Sequence, residues 1–263
     1  MSQLHLSAKG QTTSLDTLTG GADCFLVSES SVVTSDHSLL TVAVADGVSN
    51  SSYAKDAANT VIQAVSRSHY ARNTDLEKIL HEANNQLTRM NKDNSASTPS
   101  ETTLVVAQII DRNLQITNIG DSRGYLYDPE KNFLEQLTID HNLIQSITKS
   151  NSYKDQTEKH LYDEFNMHVG RDALTQVLGI KSIKDYPPTI SRILSPGQLL
   201  LLCSDGLYSG LSNDLLAKLV LDFYELDDIA DLLIQKARER GIIDDITVIS
   251  VRFSSDMKGR INE

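Results

Sequence analysis

Apolar residues recur along this chain in two rhythms. Short aliphatic runs predict buried strands, and the clearest, Leu39-Leu-Thr-Val-Ala-Val-Ala-Asp46-Gly47, stops on a carboxylate followed by a glycine. The run Gln198-Leu-Leu-Leu-Leu-Cys-Ser-Asp205-Gly206 repeats that pattern, whereas Ile242-Ile-Asp244-Asp245-Ile-Thr-Val-Ile-Ser-Val251 reverses it, with two carboxylates ahead of the apolar residues. Further strands are predicted at Asp23-Cys-Phe-Leu-Val, after the Gly20-Gly21 turn, and at Thr102 to Ile110, Leu114 to Ile119 and Gly124 to Tyr127. The last three are so closely spaced that they should be antiparallel neighbours, turning at Asp111-Arg-Asn113 and at Gly120-Asp121-Ser122-Arg123. Helical spacing appears in Ala54, Ala57, Ala58, Val61, Ile62 and Val65. It appears again in Leu76, Ile79, Leu80, Ala83, Leu87 and Met90, behind a Thr74/Glu77 capping-box pair. Leu215 to Phe223 and Ile229 to Ala237 read as two more amphipathic helices, with Gly241 placed to end the second.

Between them His141 to Arg171 is polar, mixed in charge and without a sustained period. A flap-like insertion over about 142–171 is expected there, facing a substrate or merely solvated. No internal repeat is present, so residues 1–253 are expected to form a single domain, followed by a short polar tail over 254–263.

Composition narrows the class. At 263 residues, 40% hydrophobic and 22% charged, the chain can bury a sizeable core within one large domain. A formal charge of -11 argues against a nucleic-acid partner, which needs a concentrated basic face. The start, Met1-Ser-Gln-Leu-His-Leu-Ser-Ala-Lys9, lacks the long apolar core of a secretory signal, and no stretch is long and apolar enough for a membrane helix. A cytoplasmic protein without a membrane partner is therefore expected. Two cysteines, Cys24 and Cys203, both inside apolar runs, cannot build a disulfide framework.

The acids carry the candidate chemistry. Strand ends at Asp46 and Asp205 and an antiparallel strand start at Asp244 can share one sheet rim, where their charges would repel unless cations lay between them. That reading gives a site for hard divalent ions; the alternative is that Asp-Gly marks ordinary turns.

The order of motifs resembles the protein phosphatase 2C family, the PPM-type metal-dependent serine/threonine phosphatases. The resemblance rests on Ala22-Asp23-Cys-Phe, Val44-Ala-Asp46-Gly47, Thr102-Thr103 and Asn118-Ile-Gly120-Asp121-Ser122-Arg123. It continues through Leu137-Thr-Ile-Asp140-His141, Leu174-Thr-Gln-Val-Leu-Gly179, Ser204-Asp205-Gly206-Leu207 and Asp244-Asp245-Ile-Thr247. It implies an α+β fold, a four-layer α/β/β/α sandwich with two central antiparallel sheets flanked by helices. It also implies two Mn²⁺ or Mg²⁺ ions, bridged by Asp46 and completed by the Gly47 carbonyl, Asp205 and Asp244. Asp121 would help hold a third ion, and Asp23 would hydrogen-bond metal waters. The implied reaction is hydrolysis of phosphoserine or phosphothreonine in a phosphorylated protein by a metal-bridged hydroxide, without a covalent intermediate, opposing a serine/threonine kinase. A monomer is expected.

Three departures from the family pattern stand out. The arginine expected shortly before Asp23 is missing: the first arginine is Arg67, and Lys9 is the only lysine before Lys55. Either Lys9 grips the substrate phosphate, as a point charge without bidentate geometry, or the ions bind phosphate alone. Val48 stands where many eukaryotic members carry a histidine, and Asp245 replaces the usual asparagine. These losses keep open a catalytically weak binding or regulatory module, and the acids alone would also suit a metallohydrolase of small phosphate monoesters.

Overall fold

The computed structural model describes residues 4–14, 21–30, 39–48, 53–69, 75–94, 98–149, 173–181, 183 and 185–255. Within them, two five-stranded antiparallel sheets lie face to face. One runs in the order β1 (Leu4–Thr13), β10 (Ile246–Ser255), β9 (Leu199–Cys203), β6 (Arg123–Asp128), β7 (Phe133–Gln136). The other runs β2 (Asp23–Ser30), β3 (Leu39–Asp46), β4 (Leu104–Ile110), β5 (Asn113–Ile119), β8 (Ile190–Ile193). Six helices are described: α1 (Ala54–His69), α2 (Leu76–Asp93), α3 (Leu143–Lys149), α4 (Asp205–Gly210), α5 (Asn213–Phe223) and α6 (Ile229–Arg238).

The unbroken aliphatic character of β3 follows from its being covered on both faces. Successive side chains of a strand point to opposite sides. Leu40, Val42 and Val44 therefore join Val105, Leu200, Leu202, Ile249 and Val251 between the sheets, while Ala43 and Ala45 meet Ala57, Val61 and Leu80 of the α1/α2 layer. On the opposite side Tyr125, Leu199, Leu201 and Val248 pack against Leu207, Leu216 and Leu233 of α4, α5 and α6. Three apolar interfaces thus separate four layers, in the order helix, sheet, sheet, helix, as the resemblance implied. None of the described helices is long and apolar enough to cross a membrane.

Several local expectations change. The strands β1, β7 and β8 and the helices α3 and α4 were not read from the pattern; α3 occupies the first part of the segment expected to be irregular. The helix α2 is capped by Asp75, whose carboxylate accepts from Glu77 N at 3.0 Å; Thr74 lies outside the described residues. Strands β4 and β5 form the expected antiparallel pair, turning at Asp111 with φ 57. However, β6 does not pair with β5: it crosses to the other sheet, between β9 and β7. The last strand runs on to Ser255, so the expected tail begins later, and 256–263 lie outside the described residues. So do 150–172, most of the expected flap, although its two flanks meet where Asn142 bridges Leu174.

Candidate metal centre

The two sheets end together at one rim, and the acids gather there from both of them rather than from one. Asp46 is the last residue of β3. Its backbone is fastened by Thr103 N at 2.9 Å and Thr102 Oγ1 at 2.8 Å, both donating to Asp46 O, and Asp46 N donates to Thr103 Oγ1 at 3.1 Å. Gly47 follows where the chain runs against the start of α1, and a Cβ at this position would collide with the Ala54 carbonyl oxygen. In the register of β2 and β3, Asp23 stands directly opposite Asp46. Asp205 opens α4 just beyond the end of β9, one residue later than a strand end, with Ser204 as its cap position. Asp244 and Asp245 precede β10, the neighbour of β9. Asp121 sits in the crossover that carries the chain from β5 to β6, so the step between sheets is also what delivers this acid.

Asp46, Gly47, Asp121, Asp205, Asp244 and Asp245 line a single cavity of about 280 Å³, together with Ser14, Ala22, Val48, Thr103, Leu174 and Ile243. No lysine, arginine or histidine is among these lining residues. Burial drives the Asp46 carboxyl well above the usual carboxylate range, and the charges of Asp23, Asp205 and Asp244 push it further. Asp121 rises to about 7, from burial and then from Asp205 and Asp140. Asp23 rises to about 6, chiefly from burial, against the pull of hydrogen bonds from Ser204 and Thr247. An all-oxygen, negatively charged donor set of this kind suits hard divalent cations, whose charge reverses each of these shifts. One Asp23 oxygen, Oδ1, is buried with no partner among the described residues, which leaves an acceptor free for a metal-bound water. Among the described residues no three Asp, Glu, His or Cys side chains close around one point. An ion here would therefore lean on the Gly47 carbonyl and on water, as Mg²⁺ commonly does.

Neighbouring polar side chains hold the acids in place. Ser204 Oγ donates to Asp23 Oδ2 at 2.7 Å and accepts from Thr247 N at 3.0 Å, tying β2 to β10. Tyr208, one helical turn after Asp205, donates to Asp121 O at 3.1 Å. Beneath it Arg123 forms a buried ion pair with Asp140 at 2.6 Å and lies over the Tyr208 ring, 3.5 Å from its centroid. Thr103 Oγ1 and Ser122 Oγ lie 2.7 Å apart, so the anchor of Asp46 is linked to the Asp121 turn. For Ser204 and Tyr208, given no role in the sequence reading, the only hint was adjacency to the acids. Asp245 is held by Ala22 N, 2.5 Å from its Oδ2.

Lys9 is not at this site. It lies mid-strand in β1 opposite Ser250, and its ammonium is 2.5 Å from Asp228 at the beginning of α6, with both side chains more than half exposed. The acidic rim is at the other end of that helix, where Arg238 reaches the Asp244 carbonyl. Ten residues of helix separate the two ends, about 15 Å. The phosphate-gripping role expected of Lys9 is therefore corrected: the chain direction of β1 carries it away from the cavity.

Comparison with known proteins agrees with this geometry. The sequence model of the family described as protein phosphatase 2C matches residues 24–235. The serine/threonine phosphatase stp of Listeria monocytogenes is 30% identical over 187 residues, 71% of this chain and 70% of that protein. Protein phosphatase PhpP of Streptococcus pneumoniae is 32% identical over 155 residues, 59% of each. Among solved structures, the serine/threonine phosphatase Stp1 from Staphylococcus aureus superposes with a TM-score of 0.77 at 23% identity, covering 94% of this chain and 95% of that one. The catalytic domain of the phosphatase PstP in complex with two manganese ions gives 0.76 at 20% identity, covering 96% and 100%.

Proposed function

The chain belongs to the protein phosphatase 2C family of metal-dependent serine/threonine protein phosphatases. From that premise we propose that its active centre uses two Mn²⁺ or Mg²⁺ ions, with Asp46, the Gly47 carbonyl, Asp205 and Asp244 as their ligands. Asp121 and Asp205 would hold a third, and Asp23 would orient metal-bound water. One observation carries this reading: acids from positions 46, 121, 205 and 244 border one cavity whose described lining includes no cationic side chain. Carboxyl groups gathered this closely are neutralised by protons or by cations, and an all-oxygen set suits hard divalent cations.

When bound, the ions would lower the pKa of a coordinated water toward neutrality and offset charge on the phosphoryl oxygens. The protein's part is placement. Thr102 and Thr103 fix the depth of Asp46, Ser204 fixes Asp23, and Tyr208 fixes the Asp121 turn. The described lining holds no arginine, lysine or histidine, so among the described residues the ions, when bound, would be what offsets the charge of the substrate phosphate. The lip is apolar, formed by Val48, Leu174 and Ile243, the last 83% exposed, and favours a peptide over a small charged ester. The catalytic unit extends through β10 to Ser255 and acts as a monomer in the cytoplasm against a serine/threonine kinase.

Phosphate release from a phosphothreonine peptide and from p-nitrophenyl phosphate, measured with Mn²⁺ and after chelation, tests this reading. Metal-dependent turnover of the peptide, lost in Asp46→Asn and Asp205→Asn, is the expected result. Turnover of the small ester alone would point to a monoester hydrolase. Bound metal without turnover of either would point to a binding module, the reading favoured by the missing phosphate clamp.

A further inference from the structure

The helix α6 ends on Arg238, whose guanidinium is divided among three main-chain carbonyls. Nη1 donates to Ile242 O at 2.7 Å and to Asp244 O at 2.6 Å, and Nη2 donates to Thr13 O at 2.9 Å. The carbonyls belong to two segments far apart in sequence. Both border the acidic cavity, one through Ser14, the other through Ile243, Asp244 and Asp245.

In the second segment Ala22 N holds the Asp245 carboxylate and Asp245 N donates to Asp244 Oδ1 at 2.9 Å, so what Arg238 adds is a grip on the main-chain carbonyls of Ile242 and Asp244. Ile243 is 83% exposed, Ile242 is only partly buried, and Gly241 turns at φ 83 with open space around it. Asp244 lines the cavity together with Asp46 and Asp205. A swing of the Asp244 main chain would carry its carboxylate away from the point where a cation needs it. A planar guanidinium opposes that swing in two ways: its charge-assisted hydrogen bonds are about twice as strong as neutral ones, and its fixed fork sets the spacing of the carbonyls it grips.

We infer that Arg238 is a positioning residue for the metal centre, setting where Asp244 stands before any ion arrives and so raising divalent-cation affinity. The inference rests on the metal-centre reading above. An arginine in the last turn also interacts favourably with the helix dipole, so a purely structural cap is the competing role.

Calorimetric titration with Mn²⁺ of the wild type, Arg238→Gln, Arg238→Lys, Asp244→Asn and the Arg238→Gln/Asp244→Asn double variant, with thermal melts in chelator, separates the two. Arg238→Gln should weaken Mn²⁺ binding by about tenfold, the usual effect of losing a residue that orients a ligand. Arg238→Lys should weaken it less, and neither should melt more than a few degrees below wild type in chelator. In the Asp244→Asn background Arg238→Gln should add little, because the two act through one ligand. Unchanged Mn²⁺ affinity in Arg238→Gln would overturn the inference and leave Arg238 a helix cap. If that variant does not fold, unchanged affinity in Arg238→Lys does the same. A wild type that binds no Mn²⁺ would instead remove the metal-centre reading, and this inference with it.

Discussion

Asp46 is the residue the fold treats most harshly. It lies half-buried opposite Asp23, and Asp205 and Asp244 add further negative charge, all of which holds its proton on in the metal-free protein. Asparagine keeps the shape and removes the charge, so Asp46→Asn should have two opposite effects. Metal-dependent phosphate release should fall by about a thousandfold or more, while the chelated protein should melt at a higher temperature than wild type. An activity assay and a thermal melt on the same sample check both. At the lip, Ile243 offers apolar area to water and to whatever peptide enters. Ile243→Ser should lower kcat/KM for a phosphothreonine peptide by roughly five- to tenfold, the scale of one lost apolar contact, and leave p-nitrophenyl phosphate unaffected. At this scale the sequence was most readable: Asp46, Asp205 and Asp244 each ended or began an apolar run, Asp121 stood in the turn between two, and all four line the cavity. Lys9 was misjudged because distance along the chain says nothing of which way a strand points. The supports Ser204, Tyr208 and Arg238 act through main-chain or buried contacts that no periodicity announces.

Elements bring these residues within reach by close backbone approach, and Gly206 is where that approach is tightest. A Cβ there would strike the Asp245 carbonyl oxygen, in the loop that carries Asp244. Gly206→Ala should cost about 1–3 kcal/mol of stability, by denaturant melt, and should also weaken Mn²⁺ binding, since α4 and the loop can no longer sit side by side. Long aliphatic strands and amphipathic helices were legible because both of their faces, or one wide stripe, are covered. The four-residue edge strands β7 and β8 carry too few residues for a period to show. The ten-residue β1 alternates faintly, Leu4, Leu6 and Ala8 among polar neighbours, as suits an edge strand paired only with β10. Close spacing was rightly taken to make β4 and β5 partners. It could not reveal that β5 and β6 belong to different sheets, because a short turn and a short crossover look alike in a sequence.

Over the whole molecule, the strained acids make stability depend on protons and cations together. Asp121 is raised to about 7 and Asp23 to about 6, from an unfolded value near 4, so between those limits the folded chain binds more protons than the unfolded one. Their contribution is therefore fully present below about pH 4 and is lost as the pH rises through about 6 and 7. The melting temperature of the chelated protein should accordingly fall from pH 5 to pH 8, and Asp121→Asn should flatten that fall. Calorimetric melts across the pH range would show the opposite slope if the carboxylates were instead stabilised as anions by the protein alone. The most direct test is an anomalous difference map from crystals grown with Mn²⁺. Two strong peaks on either side of the Asp46 carboxylate are expected, within reach of the Gly47 carbonyl, Asp205 and Asp244. Peaks elsewhere on the molecule, or none at this rim at saturating Mn²⁺, would contradict it.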